Sequence, residues 1–324
     1  DMKESLLSVI ERQFRSLWNL GIVCDELTDF IKNITSYMDW SEIWVEVKET
    51  LFYTTSTTEP RLEKLNQLEQ ITRPSTMVQE TRIFLKKSDL FRFFANNDSE
   101  IEGPTTWRSE YEKKMKDLGT KVAKNLEVIN EIGPELFTYE NYWISPFVES
   151  LTCNSDDRAL LWQTLRDVYK KAQKGRTPQI LILFFKTLWG LDTDLSESIK
   201  NEVLEDSDLC ELFPFTINPY SMTPSDISAI LEKINAGESS SVFLWGVSFL
   251  PIGNSEIEPS YCALLRVVSK TRFGYERAIE FLAHNFDNAV KKNLPISQSL
   301  LDTGRELLMM ANDPDLVYWN DPMP

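Results

Sequence analysis

Few residues of this chain are placed by type and spacing to do chemistry. The single histidine, His284, stands three residues before Asp287 in AHNFDNAV, and a serine elsewhere could complete a catalytic triad with them. The chain has no G-x-S-x-G turn to expose such a serine, and one imidazole excludes the zinc sites that need two or more. We therefore interpret His284 as a packing or capping residue.

The standard phosphate-binding loops are missing from the sequence, and a calcium-binding pattern is incomplete. Neither G-x-x-x-x-G-K-[ST] nor G-x-G-x-x-G occurs, so the standard phosphate-binding loops are missing. Asp192 and Asp194 imitate the start of a calcium loop, but Glu197 stands where that loop needs glycine, and Val203 where it needs a bidentate acid. Helix capping explains the two aspartates better.

Two acidic motifs resemble those of known enzyme families. Glu46-x-Lys48, with Asp39 upstream, resembles the metal-binding acid and lysine of PD-(D/E)xK nucleases, which lie on a central strand. Here the neighbouring apolar residues recur at helical spacing, which predicts a solvated helix face instead. DDRAL at Asp156 resembles half of a terpene-synthase magnesium box, but Leu160 replaces its last carboxylate. We therefore predict no catalytic, cofactor-binding or metal-binding residue.

Composition limits the class of protein and its partners. Of the 324 residues, 42% are hydrophobic and 26% charged, as in soluble globular proteins. The formal net charge of -16 disfavours direct binding to nucleic acid, which is a polyanion. No apolar run approaches the ~18 residues of a membrane span, so no membrane insertion is expected. The scattered cysteines are predicted to be buried reduced thiols, which favours a cytoplasmic location; they are Cys24, Cys153, Cys210 and Cys262.

The elements that would position any site are predicted to be helices. Glycine is scarce, with 11 residues in 324, and good helix formers or cap residues replace it. In MTPSDISAILEKINAGESSSVFLWG, Thr223 is placed as an N-cap before Pro224, and Gly237 as the left-handed residue that closes the helix. A second helix follows, which predicts a helical hairpin over 223–251. The same pattern predicts another hairpin over 155–190.

The remaining segments also show helical periodicity. No hairpin-built sheet is indicated, because Asn-Gly and Asp-Gly turns between alternating strands are missing. The predicted fold class is all-α, with antiparallel helical hairpins stacked as an irregular α-solenoid or as a multi-helix bundle. The other predicted helices are 3–33 with a break near Gly21, 40–54, 59–71, 76–95, 107–132, 139–151, 195–205, 258–270, 272–292 and 296–311.

A polar interruption predicts where domains would meet. The segment NNDSEIEGPTT, residues 96–106, carries three acids and a Gly-Pro between helices. It would separate an N-terminal helical subdomain, 1–102, from a helical-hairpin array, 103–324. The chain begins Asp1-Met2, which suggests an excised fragment or the remnant of a tag.

A second interruption, 205–224, is predicted to be a long irregular connection that carries aromatic residues. Long ordered loops are often functional, so Phe213, Phe215 and Tyr220 are candidates for a binding surface. The alternative is local packing, since aromatic residues in loops usually anchor them to the core.

Paired helices without a fixed period of about 34 or about 40 residues resemble the irregular HEAT- or TPR-like arrays of large bacterial multidomain proteins, including NTPase-linked and antiviral defence proteins. The resemblance implies a non-catalytic scaffold or sensor that binds another protein, or an adaptor subunit of a larger complex. The alternative is a glycan-active enzyme on an α/α-toroid, which uses paired carboxylates and tryptophan platforms. Nine tryptophans permit it, but most are predicted to be core, such as Trp18, Trp44, Trp162, Trp189 and Trp245.

Overall fold

A computed structural model shows the chain as an assembly of helices. Its described residues form seventeen α-helices and two short 3-10 helices, and none of these residues lies in a strand, which confirms the all-α prediction. Contacts divide the chain into two compact units, 1–180 and 181–324. The described residues are 2–21, 24–38, 40, 42–54, 59–86, 104–139, 141, 143–172, 176–219, 221–237, 240–247, 257–271, 274–291 and 295–310.

The predicted boundary at 96–106 falls largely outside the described residues, and it stays a prediction. In the described ranges, no helix is both long enough and apolar enough to cross a membrane. The helices of the first unit are α1 (Met2–Leu20), α2 (Cys24–Thr35), α3 (Ile43–Tyr53), α4 (Glu59–Thr72), α5 (Met77–Lys86), α6 (Pro104–Ala123), α7 (Glu127–Ile132), a first 3-10 helix (Gly133–Phe137), α8 (Ser145–Asn154) and α9 (Arg158–Lys171).

The first four helices pack around an apolar core. The predicted break near Gly21 is confirmed, because this residue has a φ of 73° and separates α1 from α2. Further along, α6 packs closely along α8, and a Cβ at Gly119 would collide with the carbonyl oxygen of Phe147. The buried core residues of the first four helices include Phe14, Trp18, Ile31, Ile43, Val47, Leu65 and Leu68.

The single helix predicted over 107–132 is wrong, since α6 and α7 are separate helices. At the end of α6 the amides of Lys124 and Asn125 donate to carbonyl groups three residues back, which tightens the backbone and ends the α-helix. Asparagine has a low helix propensity, so a break is inexpensive there. The spacing of apolar residues did not reveal this break, because Val122, Leu126 and Ile129 keep the helical spacing of three or four residues across the turn.

In the second unit the start and stop signals of α13 (Pro224–Asn235) act as predicted. Pro224 is the first residue of this helix, and the Thr223 hydroxyl accepts a hydrogen bond from the Asp226 amide at 3.2 Å. The Asp226 carboxylate in turn accepts from the Thr223 amide at 2.8 Å, which completes a capping box. Gly237, just beyond the helix, has a φ of 101°.

Packing in the second unit departs from the predicted hairpin over 223–251. Helix α13 makes its main contact with α15 (Glu258–Val268). Helix α14 (Ser241–Val247) packs on α12 (Phe213–Thr216), on the second 3-10 helix (Cys210–Leu212) and on α16 (Gly274–Lys291). The connection 205–224 is also less irregular than predicted, because it contains that 3-10 helix and α12. The choice between solenoid and bundle stays a prediction. The helices are α10 (Gln179–Leu188), which begins in the first unit, α11 (Thr193–Glu205), the second 3-10 helix (Cys210–Leu212), α12 (Phe213–Thr216), α13 (Pro224–Asn235), α14 (Ser241–Val247), α15 (Glu258–Val268), α16 (Gly274–Lys291) and α17 (Gln298–Met310).

The four cysteines are free thiols. Three are buried as predicted, but Cys153 is exposed, so the prediction is wrong for this residue. It lies near the end of α8, on the side opposite to the buried residues of that helix, which are Phe147, Val148, Leu151 and Thr152.

Candidate functional site

The structure does not arrange His284 and Asp287 as a catalytic triad would. The His284 side chain is exposed on α16, and the carboxylate of Asp287 pairs with Lys291 Nζ at 2.6 Å, one turn along the same helix. In a triad the aspartate would be buried and would bind the imidazole. The expectation that His284 packs or caps is also wrong, because the buried positions of α16 lie on another face; they include Ala278, Phe281, Leu282 and Asn285.

The aspartate motifs serve as helix caps. Asp192 accepts a hydrogen bond from the Leu195 amide at 3.0 Å and caps α11, which confirms the capping interpretation. In DDRAL, Asp157 accepts from the Leu160 amide at 2.9 Å and caps α9. Among the described residues, no group of three His, Cys, Asp or Glu side chains could hold a metal ion.

The motif with Glu46 and Lys48 lies on α3, so the predicted helix is confirmed and the strand of the nuclease family is not formed. Asp39 lies outside the described residues. Lys48 Nζ stands 3.3 Å from the carboxylate of Glu69 on α4. This lysine therefore belongs to an ion-pair cluster between two helices. The Lys48 side chain is less exposed to solvent than the sequence predicted.

That cluster, formed by Trp44, Lys48, Glu69 and Arg73 and called the Glu69 cluster below, encloses a carboxylate. Glu69 is 5% exposed and accepts hydrogen bonds from Trp44 Nε1 at 3.0 Å and from Arg73 Nη2 at 2.9 Å. Burial alone would raise the pKa of Glu69, but the hydrogen bonds from Trp44 and Arg73 and the charges of Lys48 and Arg73 outweigh it and lower the pKa. The cluster joins α3 to α4, because Trp44 and Lys48 on α3 both contact Glu69 on α4. It is poorly suited to acid catalysis, because a carboxylate held ionised is a poor general acid.

A small apolar recess in the second unit has a different character. One wall comes from α10, where Ile182 and Lys186 follow at a spacing of four residues and Trp189 stands just beyond the helix end. The volume of the recess is about 60 Å³. The other walls come from α12, the segment after it and α14, through Pro214, Phe215, Ile217, Pro219, Trp245 and Gly246.

The local sequence explains how these walls come together. Pro214 lies in the first turn of α12, where its missing N–H costs no hydrogen bond. Gly246 lets α14 approach α12 closely, since a Cβ there would lie 2.8 Å from Pro214 Cβ and 2.9 Å from Phe215 Cε2. The Trp189 indole donates to the carbonyl oxygen of Thr216 at 3.1 Å, which fixes the remaining wall.

Trp245 forms the exposed edge of the recess. Its ring meets that of Phe215 edge to face, with centroids 5.2 Å apart, yet 38% of the residue remains exposed. The prediction that Trp245 belongs to the core is therefore wrong, and Trp189 is half-buried. The same prediction is confirmed for the other three tryptophans, Trp18, Trp44 and Trp162, which are buried.

The three predicted binding residues have different positions. Phe213 is 1% exposed and lies within the core, as the packing interpretation requires. Phe215 is 4% exposed, but its ring still lines the recess. Tyr220 lies outside the described residues, so nothing tests its prediction.

Sequence reasoning missed Trp245, although a signal was present. In SVFLWGV, Phe243, Leu244 and Val247 fall on one side of a helix at 100° per residue, and Trp245 falls roughly opposite their centre. These three residues are buried in the structure. The position of Trp245 could therefore have been predicted from helical phase.

Comparison of the chain with family models, with curated proteins and with solved structures finds no match. The functional argument therefore depends on the geometry of the molecule.

Proposed function

We propose that this chain is a non-catalytic helical interaction module, and that the recess between α10, α12 and α14 receives an apolar side chain of another protein. The observation that carries the proposal is the partial exposure of Trp245 beside a preformed apolar cavity. Tryptophan is enriched among the residues that dominate binding energy at protein interfaces, and such residues commonly pair with pockets.

The size of the recess favours a side chain over a small-molecule ligand. Pockets for drug-sized ligands and cofactors usually measure about 300–1,000 Å³. A volume of about 60 Å³ is about twice the ~30 Å³ share of one water molecule in the liquid, so the recess receives only the end of one apolar side chain. Complete burial of a Leu or Phe side chain contributes about 1.5–3 kcal/mol, so insertion of its end contributes less, and flanking contacts of the partner segment must supply the rest of the affinity.

The walls of the recess also favour binding over catalysis. The nine described residues that line it include no carboxylate. A glycoside-cleaving site needs two carboxyl groups on either side of the bond. The cytoplasmic location and membership of a larger bacterial defence-type assembly stay predictions.

Selection from a random-peptide library against the full chain tests this proposal. We expect the selected peptides to share one apolar residue and to bind the variant Trp245→Ala at least about tenfold more weakly, a loss of about 1.4 kcal/mol. The matched control is Tyr37→Ala, which also removes an exposed aromatic ring but lies in the first unit. Its affinity for the peptides should equal that of the unmodified chain.

Thermal unfolding of Trp245→Ala separates lost binding from lost structure. A fall in Tm of a few degrees corresponds to about 1 kcal/mol in a chain of this size, which leaves the fold intact. Selected peptides that bind Trp245→Ala as well as the unmodified chain would contradict the proposal, as would a library that yields no peptide dependent on Trp245.

A further inference from the structure

A row of lysines runs along the solvent face of α6 in the first unit. Lys113, Lys116 and Lys121, called the lysine stripe below, are all exposed. At 3.6 residues per turn they fall within an arc of about 140° on the helix surface. The opposite face of α6 is buried, through Tyr111, Met115, Leu118 and Val122. The core therefore fixes the direction in which the lysine stripe faces.

The lysine stripe differs from the cations around it in its lack of partners. Among the described residues, no carboxylate forms an ion pair with any of its three ammonium groups. The chain has 50 acidic residues against 34 lysines and arginines, so carboxylates are plentiful. The lysine stripe is thus a local positive surface on an acidic chain. Neighbouring cations are paired at 2.9 Å or less, namely Arg108 with Glu112, Lys114 with Glu80 and Lys124 with Asp156.

We infer that the lysine stripe is a second interaction surface, which binds a short acidic segment of a partner protein. The stripe covers eight residue steps of α6, or about 12 Å. Four residues of extended chain span about 13 Å, so a segment with several closely spaced Asp or Glu residues matches this length. At physiological salt, charges beyond about 8 Å are largely screened. The lysines therefore govern the binding of so short a ligand, and the net charge of -16 has little effect on it.

The surroundings of the lysine stripe favour carboxylates of a protein over phosphates of a nucleic acid. A nucleic acid strand continues past the stripe and meets the negative charge of the rest of the chain. Proteins that bind single strands also use aromatic side chains on which the bases stack. The segment 113–121 contains no aromatic residue. A short acidic peptide needs no such platform and ends before the repulsion accumulates.

One acidic residue lies within the lysine stripe. Asp117 is exposed and stands four residues from both Lys113 and Lys121. Among the described residues it forms an ion pair with neither lysine. Its negative charge opposes an acidic ligand, so its removal should strengthen binding. Asp117→Asn therefore provides a test in which the expected result is a gain, which damage to the fold does not produce.

Fluorescence anisotropy of the full chain with a labelled peptide of five consecutive glutamates tests the inference. The triple variant Lys113→Gln, Lys116→Gln and Lys121→Gln should bind this peptide at least about fivefold more weakly, and Asp117→Asn about twofold more tightly. A peptide of five glutamines should bind the unmodified chain much more weakly than the glutamate peptide. Glutamine and lysine have similar helix propensities, so α6 should persist, and thermal unfolding verifies this.

A matched control removes the same amount of charge elsewhere. Lys171→Gln, Lys233→Gln and Lys270→Gln together change the net charge as much as the triple variant does, but these residues lie on α9, on α13 and just after α15. The control variant should bind the glutamate peptide within about twofold of the unmodified chain, because its lysines are not grouped.

Four results would overturn the inference. They are an equal loss of affinity in the triple variant and the control, equal affinities for the glutamate and glutamine peptides, no gain in Asp117→Asn, and an oligothymidylate of equal charge that binds at least as tightly as the glutamate peptide. Peptides selected for the recess should bind the triple variant with unchanged affinity. Failure of this inference therefore leaves the proposed function untouched, since Trp245 and not α6 carries that proposal.

Discussion

The Glu69 cluster in the first unit buries a charged side chain, whereas the recess in the second unit leaves an aromatic side chain partly exposed to water. In the cluster a carboxylate is withdrawn from water, and hydrogen bonds from Trp44 and Arg73 compensate its burial. In the recess an indole remains 38% exposed over apolar walls. Full compensation is typical of a structural contact, whereas apolar surface left open in a concave site is typical of recognition.

Charge alone therefore does not identify a working site in an acidic chain. In the acidic motifs that the sequence made conspicuous, Asp192 and Asp157 cap helices, and Lys48 belongs to an inter-helix ion-pair cluster. The more informative residue is a tryptophan at the edge of a cavity, because exposure of a large aromatic ring lacks the favourable burial that Trp18, Trp44 and Trp162 obtain. Mutations that affect stability at one region and binding at the other can therefore test the comparison.

The largest expected effect is at the Glu69 cluster. Glu69→Ala removes the acceptor of the buried Trp44 N–H, and we expect a loss of about 2–3 kcal/mol in the free energy of unfolding. The partners Arg73 and Lys48 are more exposed and can regain water, which limits the loss. Urea unfolding measures it, with Glu63→Ala on the exposed face of α4 as the control. A change for Glu69→Ala as small as the control's, within about 0.5 kcal/mol, would refute the structural role.

A smaller effect is expected where α14 meets α12. Gly246→Ala places a Cβ against Pro214 and Phe215, and the steric cost should exceed the gain in helix propensity by about 1–2 kcal/mol. The control is Gly190→Ala, because a Cβ at Gly190 meets no atom within 4 Å. Chemical denaturation should show the control unchanged or slightly stabilised. Equal effects of the two substitutions would contradict the close approach at Gly246.

Trp245→Ala should separate stability from binding. We expect a loss of about 1 kcal/mol in unfolding free energy, chiefly from the edge-to-face contact with Phe215, together with the loss of peptide binding described above. Glu69→Ala should behave in the opposite way, with lower stability and unchanged affinity in the folded protein. Denaturation and anisotropy on both variants measure this. Parallel losses in both variants would remove the distinction between the two regions.

The smallest expected effect is a pH dependence at Glu69. Its pKa in the folded chain lies below the usual value, so its ionised form contributes stability above the unfolded pKa of about 4.3, and this contribution is lost as the pH falls through the folded pKa. The difference in unfolding free energy between the unmodified chain and Glu69→Gln should therefore shrink between pH 7 and pH 3.5. A difference that stays constant or grows on acidification would show that Glu69 is not held ionised.

The sequence predicted the helices well because their ends are marked locally. The Thr223-Pro224 start and the cap at Asp192 depend on residues within one turn, so no tertiary information was needed. The break between α6 and α7 was missed because the apolar residues recur every three or four positions across it. Helix α12 was missed because four residues are too few to show a period.

The two compared regions were harder to predict because their partners are distant in the chain. The sequence pattern does not distinguish Glu69 from the exposed Glu63 on the same helix, since the decisive donor, Trp44, lies 25 residues away. The recess brings together α10, α12 and α14, and periodicity within one helix cannot show how separate helices meet. The ring of Phe215, a predicted binding residue, lines the recess, and its role in binding stays a prediction. The position of Trp245 required the helical phase of α14.

The proposal that the recess is the binding centre is tested by ¹⁹F NMR of the chain labelled with 5-fluorotryptophan. The nine tryptophans should give separate signals, and Trp245→Phe and Trp189→Phe assign the two at the recess. On titration with a selected peptide, we expect shifts of the Trp245 and Trp189 signals and unchanged signals for the buried Trp18, Trp44 and Trp162. A peptide that binds and shifts one of those buried tryptophans while Trp245 stays unchanged would contradict it.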